Sequence, residues 1–352
     1  MEEAMKRNNF LDVMKGVCIL FVVITHYAWK DQERLDYLFP FWISMAVPVF
    51  MIISGYVNAK SYQKNHIVHI SEAYSFGFVW KKIVRYTIPF LMIYIAELVC
   101  LILNGRSFTT EDLIRMLLTG GLGKGSYYYP IMIQFVFLFP IIYFIIQKYR
   151  SKGLFLCGIM NGLYELLRWA YDIDGEAYRL LVFRYLLVIA AGCYIADENA
   201  KIRVKESILC MLVGIIYIVR VCYMECDPVF IEYWRKTSFV ACLTIIPVAM
   251  YLIKNCKIRC KFLELLGKAS FNICLVQMMY YEFFAEIVYA SVERREVELL
   301  INIVSTVTVG LLFYFVESHL TNRIIERMSS GMEGWHHLVD SHKKEICYKQ
   351  RV

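Results

Sequence analysis

The sequence predicts an all-α fold, a polytopic transmembrane helix bundle of about ten spans, and three observations predict it. Of 352 residues, 59% are hydrophobic and only 20% are charged, where an ordinary soluble domain is roughly half apolar and a quarter charged. The mean hydropathy is +0.50. The apolar residues fall into runs of about 20, the length that crosses about 30 Å of hydrocarbon as a helix. These runs are separated by short stretches, and Lys and Arg concentrate in alternate ones. A cytosolic enzyme, a disordered chain and a secreted disulfide scaffold are excluded. Helices in one bilayer share one bundle, so residues 1–320 read as a single membrane domain and 321–352 as a basic cytoplasmic tail.

The first span, 10–29, follows a short segment carrying Lys6 and Arg7 and contains Lys15. It has no small-x-small cleavage site, so it is expected to remain as a helix and not to be removed as a signal peptide. The second, 39–58, ends with Ser54-Gly55, small residues that let two backbones approach closely. The third, 84–103, is entered through Lys81, Lys82 and Arg85 and carries Pro89. The fourth, 127–147, opens on Tyr127-Tyr128-Tyr129-Pro130, and the fifth, 153–171, is interrupted by Asn161, Glu165, Arg168 and Asp172. Spans at 178–197, 207–224, 237–254, 267–289 and 298–318 follow. Ten spans put both termini on one side.

Orientation follows from the cations. With the N-terminus inside, 23 of the 38 Lys and Arg lie in or at the edge of cytoplasmic segments, 11 in or at the edge of outer loops, and Lys15, Arg184, Arg220 and Lys268 are counted within spans. This bias places both termini in the cytoplasm. The formal charge of +7 is then mostly a feature of the inner face, with the lipid bilayer as partner and no nucleic acid. The tail, with Trp335, His336, His337, Lys343 and Lys344, reads as a solvated segment on anionic lipid. Aromatic residues at 16% suit interfacial belts. Most of the 12 cysteines lie in apolar spans, where a thiol is a small hydrophobe. The one tight pair, Cys256 and Cys260, has no histidine nearby, whereas structural zinc needs four ligands. No metal site is expected.

Ionisable groups inside a span are costly unless paired or facing a cavity, which makes each a candidate site. The first span holds Asp12, Lys15 and His26. Lys15 and His26 are eleven residues apart, hence about 20° apart around the helix and roughly 16 Å along it. Asp12 lies one turn below Lys15, within reach of an ion pair. Two readings stand side by side: a functional stripe, or a snorkelling lysine with a helix-capping aspartate and a histidine in the outer aromatic belt. Lys81, Lys82 and Arg85 likewise suit either an anionic ligand's phosphates or the setting of topology.

Taken together and in this order, these segments resemble the bacterial acyltransferase-3 family of integral membrane acyltransferases. Asp12-Val13-Met14-Lys15-Gly16 followed by His26 is similar to its first-helix motif, with Lys where many members have Arg. Phe50 through Tyr56, Lys81 through Pro89, Tyr127 through Gln134, Phe183-Arg184-Tyr185 with Gly192, Leu266 through Ser270, and Phe315-Val316-Glu317-Ser318 resemble six further motifs. The late helix departs from the pattern, with Gln277 where many members have His.

The resemblance implies transfer of an acyl group, acetyl in most members, from cytoplasmic acyl-CoA to a hydroxyl of a cell-surface or lipid-linked carbohydrate. It implies catalytic roles for His26, Lys15 and Asp12, and donor (acetyl-CoA) contacts at Lys81, Lys82, Arg85 and Ser54. Acceptor contacts are implied at Glu165, Arg168, Gln134, Tyr128, Arg184 and Glu317. The expected geometry is one water-lined passage shared by Lys15 and His26. The competing class is a polysaccharide exporter or flippase without chemistry, whose polar helices would also face a cavity.

Overall fold

Long apolar runs can satisfy their backbone groups in lipid only as helices or closed barrels, and here they are helices. The structure, a computed structural model, describes residues 8–123, 125–224 and 238–349, and among them there is no strand. Lys6 and Arg7, and the side chains of Trp335, His336, His337, Lys343 and Lys344, lie outside the described ones.

In chain order the helices are α1 (Asn9–His26), α2 (Asp31–Asp36), α3 (Ala46–Lys64), α4 (Ile70–Ala73), α5 (Phe76–Leu103) and α6 (Thr110–Thr119). There follow α7 (Tyr128–Tyr149), α8 (Ser151–Ala170), α9 (Gly175–Arg179), α10 (Leu186–Ile195), α11 (Val204–Ile218) and α12 (Phe239–Cys242). The last are α13 (Ile245–Asn255), α14 (Lys261–Lys268), α15 (Ser270–Phe283), α16 (Ala285–Ser291) and α17 (Arg295–Lys349).

Every run expected to span falls on one or more of these helices. Among the described residues, six helical segments are long and apolar enough to cross a membrane, or seven if α14 and α15, bent by 69°, count as one. The remaining three expected spans are different in kind. Val182–Ile195 and Phe239–Asn255 are apolar but short; at 1.5 Å per residue the first reaches only about 21 Å. α8 has the length and keeps Glu165 and Asn161 buried.

The core is where α1, α3, α7, α10 and α15 meet, around Ile19, Val23, Met51, Ile52, Phe135, Phe139, Ile189 and Ile273. Two pairs of glycines set how closely these helices approach. A Cβ on Gly55 would lie 2.2 Å from the Ile189 carbonyl oxygen, and one on Gly192 would lie 1.9 Å from that of Ile52. The reciprocal contact brings α3 and α10 backbone to backbone, as expected of Ser54-Gly55. Gly16 against the Leu263 carbonyl and Gly267 against the Asp12 carbonyl do the same for α1 and α14. The outer helices keep large apolar side chains exposed, among them Leu103, Phe155, Leu209 and Leu312, a surface that lipid covers.

Candidate active site

The first-helix stripe forms as the periodicity predicts. Asn8 caps α1 by accepting from the Phe10 amide. One turn on, Lys15 Nζ lies 3.2 Å from Asp12 Oδ1, with the aspartate side chain 5% exposed and the lysine 26%. His26 closes the helix, its ring centroid 6.5 Å from that of Tyr281. Tyr281 in turn donates to the Val23 carbonyl oxygen at 3.1 Å, which ties α15 to the end of α1.

His26 lines a cavity of about 530 Å³, within the ~300–1,000 Å³ usual for small-molecule sites. On α1 the wall is Ile19, Val22, Thr25 and His26. Phe50, Tyr127, Tyr128 and Phe271 add aromatic surface, and Asp31, Arg34 and Arg184 add charge. Asp31 is exposed, so the cavity reaches solvent at the α2 end. The π-helical turn Val219–Tyr223, which ends α11, contributes Val221 and Cys222; such turns interrupt helices preferentially at functional sites.

At the other end the two groups of the stripe part company. Lys15 lies on the His26 stripe but is not among the lining residues. The lowest α1 residue in the wall is Ile19, about 6 Å above Lys15, so the cavity stops one turn short of the lysine. His26 and not Lys15 thus belongs to the wall of this cavity.

Of the six residues expected at the acceptor, only Tyr128 and Arg184 line the cavity. Gln134, Glu165 and Arg168 surround the segment that carries Arg184. Gln134 donates to the Leu180 carbonyl at 2.7 Å and accepts from the Val182 amide at 3.1 Å. Glu165, 1% exposed, accepts from the Tyr178 hydroxyl. Asn161 accepts from the Leu187 amide at 3.2 Å. Arg168 and Arg184 lie over the Tyr178 ring at 5.7 and 5.3 Å, and Arg184 also lies 4.8 Å from the Tyr185 ring centre. The polar residues that interrupt the fifth run thus fasten the short chain between α8 and α10 so that Arg184 faces the cavity. Glu317 is elsewhere, accepting from Asn272 Nδ2 at 2.8 Å and from Thr321, where it joins α15 to α17.

The donor candidates divide. Lys82 Nζ donates to Asn58 Oδ1 at 2.6 Å and sits 4.7 and 4.8 Å from the Phe78 and Tyr62 ring centres. Asn58 donates back to the Ser54 carbonyl at 2.9 Å. This lysine is turned inward into an aromatic box. Lys81 and Arg85, four residues apart on one face of α5, are exposed and remain open to an anion.

Sequence reasoning passed over three features. Glu97 in α5 is 0% exposed and accepts from the Leu122 amide at 3.3 Å. It anchors the chain at Leu122, beside a cluster of glycines in which Gly121 and Gly125 have φ of +111° and +98°. A Cβ on Gly125 would lie 3.4 Å from His26 Nε2, so this loop roofs the imidazole. The signal was present, since a lone carboxylate within an apolar run is itself a flag. The third feature is α2, whose Arg34 and Leu35 enter the cavity wall. α2 is latched to α17 by Arg295, which donates through both terminal nitrogens to the two Glu33 oxygens. The guanidinium, and after it the Lys30 amide, hold the Glu33 carboxyl down to about 2.

Matched against families of known proteins, residues 8–316 fit the sequence model of the acyltransferase-3 family, described as an acyltransferase domain. No curated protein and no solved structure matches the chain.

Proposed function

The chain belongs to the acyltransferase-3 family of membrane acyltransferases, and from that premise we propose that it moves an acyl group, acetyl foremost, from cytoplasmic acyl-CoA to a hydroxyl of a cell-surface or lipid-linked carbohydrate. In this reading it sits in the plasma membrane with about ten crossings and both termini inside. The observation that carries it is His26 at the wall of a solvent-reaching cavity, between an aromatic shelf and two guanidinium groups. Aromatic faces and a few fixed polar groups are what a carbohydrate site needs.

An imidazole titrates near neutrality and so serves as a general base. His26 takes the proton of the acceptor hydroxyl as its oxygen bonds to the acyl carbon. The carbon–sulfur bond breaks, and the proton passes from His26 to the departing thiolate. Lys15, held by Asp12, lies on the same stripe toward the donor side and guides the thioester arm. Lys81 and Arg85 fit the donor's phosphates as exposed cations; Lys82 and Ser54 shape the neighbouring helix contact.

The test is purified chain in detergent, given acetyl-CoA with and without host glycan. Acceptor-dependent thiol release and an acetyl mass shift on the glycan are expected, and His26→Ala lowers both at least ~100-fold with helicity unchanged. Transfer at the native rate in that variant overturns the base assignment. Glycan movement across vesicles without thiol release overturns the acyltransfer reading in favour of export.

A further inference from the structure

The reaction needs only a hydroxyl, yet the cavity wall carries two guanidinium groups. Arg34, on α2, is half-buried; its Nε is buried with no hydrogen-bond partner among the described residues. No ion pair among the described residues includes it; the α2 carboxylate that is paired, Glu33, is committed to Arg295. Arg184 is 2% exposed and wedged between the Tyr178 and Tyr185 rings. Its segment is fastened by Gln134 and Asn161, so its place in the wall is built. The one carboxylate in the lining is Asp31, at the exposed rim.

Buried polar groups are nearly always satisfied, and one that is not points to a partner that arrives. A guanidinium is planar, permanently charged and shaped for two-point binding of carboxylate or phosphate. Resting on the acyltransferase reading, we propose that the acceptor is an anionic carbohydrate, whose carboxylate or phosphate is held by Arg34 and Arg184 while His26 meets the hydroxyl to be acylated. Phe50, Tyr128 and Phe271 would take the sugar's apolar face. Arg34 sets the preference for charge, because it stands at the solvent end of the same wall.

Three probes on the full chain in detergent test this: glucose, glucuronic acid (a carboxylate) and glucose 1-phosphate (a phosphate), each titrated with and without saturating coenzyme A. At least one of the two anions is expected to bind at least about tenfold more tightly than glucose, the scale of one hydrogen bond to a charged group. Which anion binds better identifies the acceptor's charge. Arg34→Gln is expected to erase that preference, Arg34→Lys to keep part of it, and added salt to weaken it. Equal binding of all three probes overturns the proposal, as does an unchanged preference in Arg34→Gln. A preference that coenzyme A abolishes also overturns it, since the arginines would then serve the donor. Thiol release from acetyl-CoA is scored separately, so failure here is distinguishable from failure of the acyltransferase reading.

Discussion

Gly125 shows how narrow the tolerance around the imidazole is. Its φ of +98° is one that L side chains rarely adopt, and a methyl there would stand 3.4 Å from His26 Nε2. Gly125→Ala therefore strains the loop by about 1 kcal/mol or more and crowds that ring nitrogen. Activity is expected to fall in kcat more than in acceptor KM, at least about tenfold, in a thiol-release assay with varied glycan. Glu97 acts on the same loop from below. Glu97→Ala leaves the Leu122 amide without its acceptor, at a cost of about 1–3 kcal/mol, whereas Glu97→Gln keeps an acceptor and most of the activity. The comparison of the two variants' melting temperatures and rates checks this. The Asp12–Lys15–His26 stripe was legible in the sequence because helical angles are fixed by residue number alone. The roof over His26 was not, because nothing in a run of glycines says which side chain it will cover.

α2 is six residues long and holds its place through contacts at its ends. Arg295 grips Glu33 and donates to the Ala28 carbonyl at 3.2 Å, and Tyr223 donates to the Leu35 carbonyl at 3.0 Å. Because the carboxyl of Glu33 is depressed to about 2, the stabilisation it brings is fully present above its ordinary value and is lost as pH falls through that depressed one. Near neutral pH the latch is thus closed and insensitive to pH. Glu33→Gln removes the charge and one of the two acceptor oxygens at every pH. Amide protection in residues 31–36, expressed over the unfolded rate at each pH, is expected to be lower in Glu33→Gln at pH 5–7. The two proteins should converge toward pH 2. Exposed pairs contribute little, so the variant raises the acceptor KM only a few-fold. At this scale the sequence is an incomplete guide for a physical reason. Hydropathy locates the apolar runs, but a run cannot tell whether it crosses. The run at 267–289 contains a break, because Gly267 lies flush against the Asp12 carbonyl and α15 departs from α14 at 69°. Glu165 and Asn161 mark the fifth run as polar; that they bind the chain before α10 depends on contacts no periodicity encodes.

On the proposed reaction, donor and acceptor arrive from opposite sides of the bundle, and on α1 one residue stands between the Lys15 and His26 ends. Ile19, 1% exposed, is the floor of the cavity on α1, with His26 above and the Asp12–Lys15 pair one turn beneath. On the proposed reaction, an acyl group entering beside Lys15 would pass this side chain to reach the imidazole, and the same side chain would keep cavity water from the thioester. A larger residue and a smaller one should therefore fail in opposite ways. Ile19→Phe fills the lower cavity and is expected to lower acceptor-dependent thiol release at least about tenfold, with coenzyme A binding retained. Ile19→Ala costs about 2–5 kcal/mol of stability and is expected to raise thiol release without acceptor, as water reaches the donor. Purified variants assayed with and without glycan, beside a binding titration with coenzyme A, read both effects. Native transfer rates in Ile19→Phe would show that the acyl group reaches His26 by another route, and the division of the bundle at this residue would lose its mechanistic meaning.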